Sequence, residues 1–180
     1  MNITLFGRHV LWERSYIIMR LDFKDINKVR TVNAKSNSLL EIKRDNMFLL
    51  ENCSFGKKRM MDMCKDTSAE TYCLWNGKEP IGFLGVIHKG NKDEFFKIRS
   101  IDAYLSEVSV NEKFRGNNYC AEMIISVADI LESKGMTNTY LAVREDNYNA
   151  IHAYEKIGFK RVDTKQFYRF FGVNIPHFSL

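Results

Sequence analysis

This 180-residue sequence predicts an α/β (α+β) fold, with a mixed central sheet of about seven strands flanked by helices. The first reason is a pair of strand–turn–helix units. Leu105–Val110 leads into a helix from about Gly116 to Lys134, and Tyr140–Val143 leads into a helix from Asn147 to Ile157. The strands flanking the first helix should run parallel, because a strand–helix–strand crossover requires it. The second reason is Asn76-Gly77, a strong two-residue hairpin signal between Thr71–Trp75 and Pro80–His88. The third is composition: 45% hydrophobic and 27% charged residues suit a globular chain, and the length suits one domain over 1–180.

Taken in order, Ile3, Leu5 and Val10–Trp12 suggest two short strands around Gly7-Arg8. Tyr16–Leu21 is a clearer strand, rich in β-branched and aromatic side chains. Asp22 then has the character of an N-cap, with Asp25 three residues on standing in for the glutamate of a capping box. A helix to about Ala34 would bury Ile26, Val29 and Val32. From Ser38 to Lys65 the pattern is mixed. Leu39, Leu40 and Ile42, then Met47–Leu50, suggest one or two short helices, broken at Asn52–Gly56. Met60, Met61 and Met63 fit either an adaptable pocket lining or core filler. Lys57, Lys58 and Arg59 fit either a site for an acceptor carboxylate or a solvated loop.

Beyond the hairpin, Gly82 and Gly85 point to bulges or close backbone contact within the return strand. Gly90–Glu94 turns, and Phe95–Val110 supplies the central strand, irregular near Ser100–Asp102. In the next helix Cys120, Met123, Ile124, Val127, Ala128 and Leu131 share one face at 3.6 residues per turn. Thr137–Val143 follows. Ala150, Ile151, Tyr154 and Ile157 line the last helix, which Asn147 caps and Gly158 stops. Lys160–Val162 and Phe167–Phe171 are expected as two strands joined by a turn at Asp163–Lys165. The apolar tail from Gly172 should pack on this domain or on a second copy, so a homodimer is one expectation.

A net charge of +5 suits polyanionic small molecules. The basic residues are spread rather than striped, which argues against a dedicated nucleic-acid surface. Cys53, Cys64, Cys73 and Cys120 form no C-x-x-C pair, and the four histidines are scattered, so no metal site is expected. Arg8, Glu13 and Arg14 interrupt any apolar run near the N-terminus, and no stretch is long enough to span a bilayer. A soluble, cytoplasmic protein is the expectation.

The turn Arg115-Gly116-Asn117-Asn118-Tyr119-Cys120 opens a helix. Its backbone N–H groups and the positive end of the helix dipole can hold a phosphate or diphosphate, although a plain turn and cap reads the same way. Further on, Val143, Asn147, Ala150, Ile151, Tyr154, Gly158 and Phe159 fall in the pattern V-x-x-x-N-x-x-A-[IL]-x-x-Y-E-x-x-G-F. That pattern resembles the closing motif of the GCN5-related N-acetyltransferase (GNAT) superfamily. Val110 followed by Arg115-Gly116 resembles the same family's cofactor turn, [RQ]-x-x-G-x-[GA]. The resemblance spans roughly residues 70 to 163. Two residues depart from it: Asn118 replaces the middle glycine and Cys120 the last small residue. Asparagine is the non-glycine residue most at ease at positive φ.

The resemblance implies a GNAT fold with splayed central parallel strands and acetyl-CoA (coenzyme A) as co-substrate, without metal. It implies that Val108, Ser109 and Val110 pair with the pantetheine arm, that Arg115, Gly116, Asn117, Asn118, Tyr119 and Cys120 hold the diphosphate, and that Asn147 touches the arm. Tyr154 would be the general acid, because a phenol is protonated at neutral pH; packing alone would also explain it. The glutamate that some relatives carry before the motif valine is Ala142 here. Glu107 is the best substitute base, since a carboxylate in an otherwise apolar strand must face a cleft, a partner or solvent. A water relay with no single essential base is the other possibility. The implied activity is transfer of an acetyl group to a primary amine of a small molecule, amino acid or peptide, in a ternary complex. A non-catalytic acyl-CoA-binding sensor or scaffold with the same fold is the alternative.

Overall fold

The computed structural model describes residues 3–5, 8–26, 37–43, 49, 57–77, 79–90, 98–170 and 173–176. Nine strands among them form one mixed sheet: β1 (Ile3–Leu5), β2 (Arg8–Asp22), β3 (Ser38–Glu41), β4 (Ala69–Asn76), β5 (Glu79–Ile87), β6 (Asp102–Val110), β7 (Asn138–Arg144), β8 (Lys160–Phe170) and β9 (Val173–Pro176). Their spatial order is β3-β4-β5-β6-β7-β2-β8-β9, with β1 paired to β2. Three α-helices accompany them: α1 (Lys57–Cys64), α2 (Tyr119–Ser133) and α3 (Tyr148–Ile157). The sheet and its helices match the expected architecture, and β6–α2–β7 is the parallel crossover at its centre.

Side-chain alternation puts the helices on opposite faces. Tyr72 and Leu74 of β4, Leu84 and Val86 of β5, and Ala103 and Leu105 of β6 join one core with Met123, Ile124, Val127 and Leu131 of α2 and Ile151, Tyr154 and Ile157 of α3. The alternate residues Cys73 and Phe83 pack with Met60 of α1, and Tyr104 and Ile87 pack with Met63. Each sheet face thus has its own apolar layer, as a period of two requires. Met60 and Met63 are buried, so the core-filler reading of the methionines holds for them.

Several local expectations are corrected. Leu39 and Leu40 lie in a strand, not a helix, because Ser38–Glu41 pairs along the open edge of β4. The helix expected after Asp22 begins as a single 3₁₀ turn, Phe23–Asp25, and Asp22 makes no side-chain cap, since Arg20 already binds its carboxylate at 2.5 Å. The rest of that helix, the Met47–Leu50 helix apart from Leu49, and the Asn52–Gly56 break lie outside the described residues. The central strand starts at Asp102, after a turn in which Arg99 chelates the buried Asp102 carboxylate at 2.6 and 3.1 Å. The turn expected at Asp163–Lys165 is absent. β8 runs unbroken beside the 15-residue β2, with one register shift at Ile18/Met19, and Asp163 pairs with Lys165 along the exposed edge. The tail strand β9 pairs with β8 of the same chain.

Candidate active site

The parallel register of β6 and β7 covers four pairs, from Asp102 opposite Asn138 to Leu105 opposite Leu141, and then stops. Its cause lies in β6. On that strand's other edge Leu105 faces Val86 and Glu107 faces Gly85, so Ser106 is an extra residue in a β-bulge. A bulge bends its strand and increases the local twist. From there to Val110, β6 follows β5 and leaves β7, which stays paired with β2 as far as Arg144. A slot opens between the two central strands. The bulge also resets the alternation, so that Val108 and Val110 join Ala103 and Leu105 on the α2 face while Glu107 moves to the α1 face.

Gly82 and Gly85 on β5 make the close contacts expected of them. A Cβ on Gly82 would sit 2.7 Å from the Ser109 carbonyl oxygen, and one on Gly85 would sit 2.1 Å from Met63 Cε. The Ser106 hydroxyl points to Met63 Sδ at 3.8 Å, which ties α1 to the bulge.

The turn between β6 and α2 lies at the mouth of the slot. Asn111 caps a 3₁₀ turn (Glu112–Phe114), and Arg115 Nε donates to the Val110 carbonyl at 3.2 Å, fastening the turn to the strand end. Asn117 Nδ2 donates to the carbonyls of Phe114 and Arg115, both at 3.2 Å. The Tyr119 ring meets Phe114 edge-on, with centroids 6.1 Å apart. Gly116 has φ +81°, with open space where a side chain would stand, and Asn118 has φ 61°. Asn118 therefore occupies the left-handed conformation that a glycine would otherwise supply. Its side chain makes no cap to α2, and the first intrahelical bond is Glu122 N–H to the Asn118 carbonyl at 3.1 Å. The N–H groups of Tyr119, Cys120 and Ala121 thus lack intrahelical acceptors, which suits them to an anion.

Tyr154 belongs to α3 and Glu107 to β6. Tyr154 is buried in α3 against Phe159, with ring centroids 5.6 Å apart. Burial pushes its hydroxyl well above the usual phenol range, and Cys120, Glu107 and Tyr104 add to this through space. Burial alone pushes the Cys120 thiol up to about 11, so it is held as a neutral thiol at neutral pH. Glu107 pairs with Arg59 of α1, whose Nε is 3.5 Å from Oε2. Asn147 is the N-cap of α3, accepting from Ala150 N–H at 3.3 Å, and Gly158 ends that helix at φ 119°.

Two participants escape sequence reasoning. Tyr104 is one: it is buried with Met63 on the α1 face, two residues before the bulge, and burial pushes its hydroxyl well above the usual phenol range. The bulge itself is the other. Its sequence signal is the apolar phase of Ala103, Leu105, Val108 and Val110, which slips by one residue between 105 and 108. Lys57, Lys58 and Arg59 form the first turn of α1 rather than a loop. No metal-holding group of His, Cys, Asp or Glu occurs among the described residues, and no described helix is long and apolar enough to cross a membrane.

Known proteins share this fold. The model of the acetyltransferase (GNAT) family matches residues 37–159. A conserved protein of unknown function from Staphylococcus epidermidis superposes with a TM-score of 0.62 at 11% identity, over 88% of this chain and 61% of that one. A GNAT-family protein from Novosphingobium aromaticivorans gives 0.58 at 14% identity, over 86% and 63%. The GCN5-related glucosamine N-acetyltransferase region of a fungal multi-domain β-N-acetylglucosaminidase gives 0.63 at 11% identity, over 87% and 21%. At these identities the likeness is one of fold, and the chain spans less than two-thirds of each of these structures. No curated protein sequence matches the chain.

Proposed function

Because the chain belongs to the acetyltransferase (GNAT) family, we propose that it is an acyl-CoA-dependent N-acyltransferase moving an acetyl group from acetyl-CoA to a primary amine of a small molecule, amino acid or peptide. The observation that carries this reading is the end of β6–β7 pairing at Leu105 and Leu141, while β6 runs on unpaired with β7 to Val110 and the turn that opens α2. The residues present fit the co-substrate. Val108, Ser109 and Val110 lie on the strand edge that β7 has left, where an extended arm can add backbone hydrogen bonds. The turn from Arg115 to Cys120 offers unpartnered helix N–H groups to a diphosphate. Asn147 stands at the start of α3, on the far side of the slot. When bound, acetyl-CoA supplies an acyl group on a thioester, which the acceptor amine takes up as the thiolate leaves.

The chain's own residues supply positions and protons. Tyr154 Oη, buried and held protonated, carries the proton needed by the leaving thiolate. Glu107, on the α1 face of the slot, is the group that takes the proton of the incoming ammonium, directly or through water. Backbone N–H groups along the freed edge of β6 are suited to polarise the carbonyl, and such preorganised donors are usually the largest catalytic contribution. A thiol-release assay with acetyl-CoA and a panel of primary amines tests the reading, with amine-dependent release as the expected result. Saturable acetyl-CoA binding with no release for any amine would make the chain a non-catalytic acyl-CoA-binding module instead.

A further inference from the structure

Resting on that reading, we propose that the acceptor is an amine that also carries a carboxylate, and that Arg59 is the residue that selects it. The first turn of α1 is cationic at Lys57, Lys58 and Arg59, while Met60 and Met63 bury its other side against the sheet. Burial of the methionines fixes which way the charged edge points. That edge lines a cavity of about 410 Å³ in which Asp62 is the single acid among the described lining residues, and Asp62 is already 3.5 Å from Lys65. The described lining is thus mainly cationic, with Arg59 its most adaptable anion-binding group.

Arg59 links this cavity to the chemistry, because it lines the one and pairs with Glu107 on β6. Arg59 Nε lies 3.5 Å from Glu107 Oε2, beyond the preferred hydrogen-bond range, and the side chains are 47% and 37% exposed. An exposed pair of this kind contributes less than about 1 kcal/mol, so it opens at small cost. A molecule with both an ammonium and a carboxylate can enter by exchange of partners. Its ammonium replaces Arg59 at Glu107, and its carboxylate replaces Glu107 at Arg59, where a guanidinium can bind it with two parallel hydrogen bonds. No charge is left unpaired. An amine without an anion would separate the pair and leave Arg59 without its carboxylate. The exchange also sets the amine beside Glu107, the residue assigned to take its proton.

The test compares kcat/KM for the twenty L-amino acids and their methyl esters, in the wild type and in Arg59→Gln and Arg59→Lys. The ester amine is the less basic of each pair, so a preference for the free acid cannot come from amine reactivity. For the accepted side chains the wild type should favour the acid over its ester by roughly 10- to 100-fold, mostly through KM. Arg59→Gln should abolish that preference and Arg59→Lys should restore part of it. Equal wild-type rates on acid and ester, or a loss in Arg59→Gln that falls equally on both, would overturn the assignment while leaving the acyltransferase reading intact. Absence of turnover with every amine would overturn both.

Discussion

Leu105 and Leu141 form the last pair of the parallel register between the central strands, and the extra residue Ser106 follows immediately on β6. Bulge and separation coincide because a bulged strand can keep its register with only one neighbour. β6 keeps β5, through close contacts that depend on two glycines.

Those glycines should differ in what they tolerate. A Cβ at Gly82 meets a backbone oxygen, which can yield only if β6 moves; a Cβ at Gly85 meets the tip of the Met63 side chain, which can turn away. Gly82→Ala should cost about 1–3 kcal/mol and weaken acetyl-CoA binding. Gly85→Ala should cost less than Gly82→Ala. Denaturant melts of the two variants, with calorimetric titration of acetyl-CoA, check the order.

Tyr154→Phe removes one hydroxyl from a buried ring whose packing against Phe159 remains. kcat should fall by about 100- to 10,000-fold, the usual range for a lost general acid. The dissociation constant of acetyl-CoA should change little. An unaltered kcat in the thiol-release assay would return Tyr154 to a packing role.

Asn118 carries the left-handed turn that opens α2. Asn118→Gly should keep both stability and acetyl-CoA affinity. Asn118→Val, with a β-branched side chain at φ 61°, should lose about 1–3 kcal/mol of stability and bind acetyl-CoA more weakly. Thermal melts and calorimetry on this pair of variants separate backbone conformation from side-chain chemistry.

Away from the slot, Glu70 on β4 ties together the residues just past the ends of β5 and α2, accepting from Tyr72 at 2.5 Å and Lys134 at 2.8 Å and meeting His88 Nε2 at 3.0 Å. The His88 hydrogen bond, with Lys134 and Tyr72 behind it, outweighs burial and holds the carboxyl at about 2, below its ordinary 4.5. A carboxyl lowered by folding stabilises the protein above its unfolded value and loses that contribution as pH falls through the folded one. The wild type should therefore shed roughly 1–3 kcal/mol between about pH 5 and pH 2 that Glu70→Gln does not shed. Urea melts of both proteins across that window test it.

Much of this site is written locally in the chain. Asn147 and Gly158 bound α3 because cap and stop act within one helical turn, and Asn118 takes positive φ for reasons internal to the residue. The expected hairpin forms, shifted by one residue: Asn76 ends β4 paired with Glu79 instead of lying in the loop, and Gly77 supplies the positive φ of +65°. What was not legible depends on partners distant in sequence. Leu39 and Leu40 fit a short helix until β4 presents an open edge, and Asp163–Lys165 fits a turn until the length of β2 holds β8 straight. The Arg59–Glu107 pair joins residues that only the fold brings together. The bulge was the exception, present in the slipped apolar phase of β6 although the strand ran on unbroken.

The most direct measurement of the central claim is an amide NMR titration of the protein with acetyl-CoA. Saturable shifts should concentrate at Glu107–Val110 and Gly116–Ala121, on the freed edge of β6 and at the mouth of α2. Shifts confined elsewhere, such as the cavity lined by Arg20, Arg99 and Met136 at the opposite end of the central strands, would contradict it, as would the absence of saturable binding.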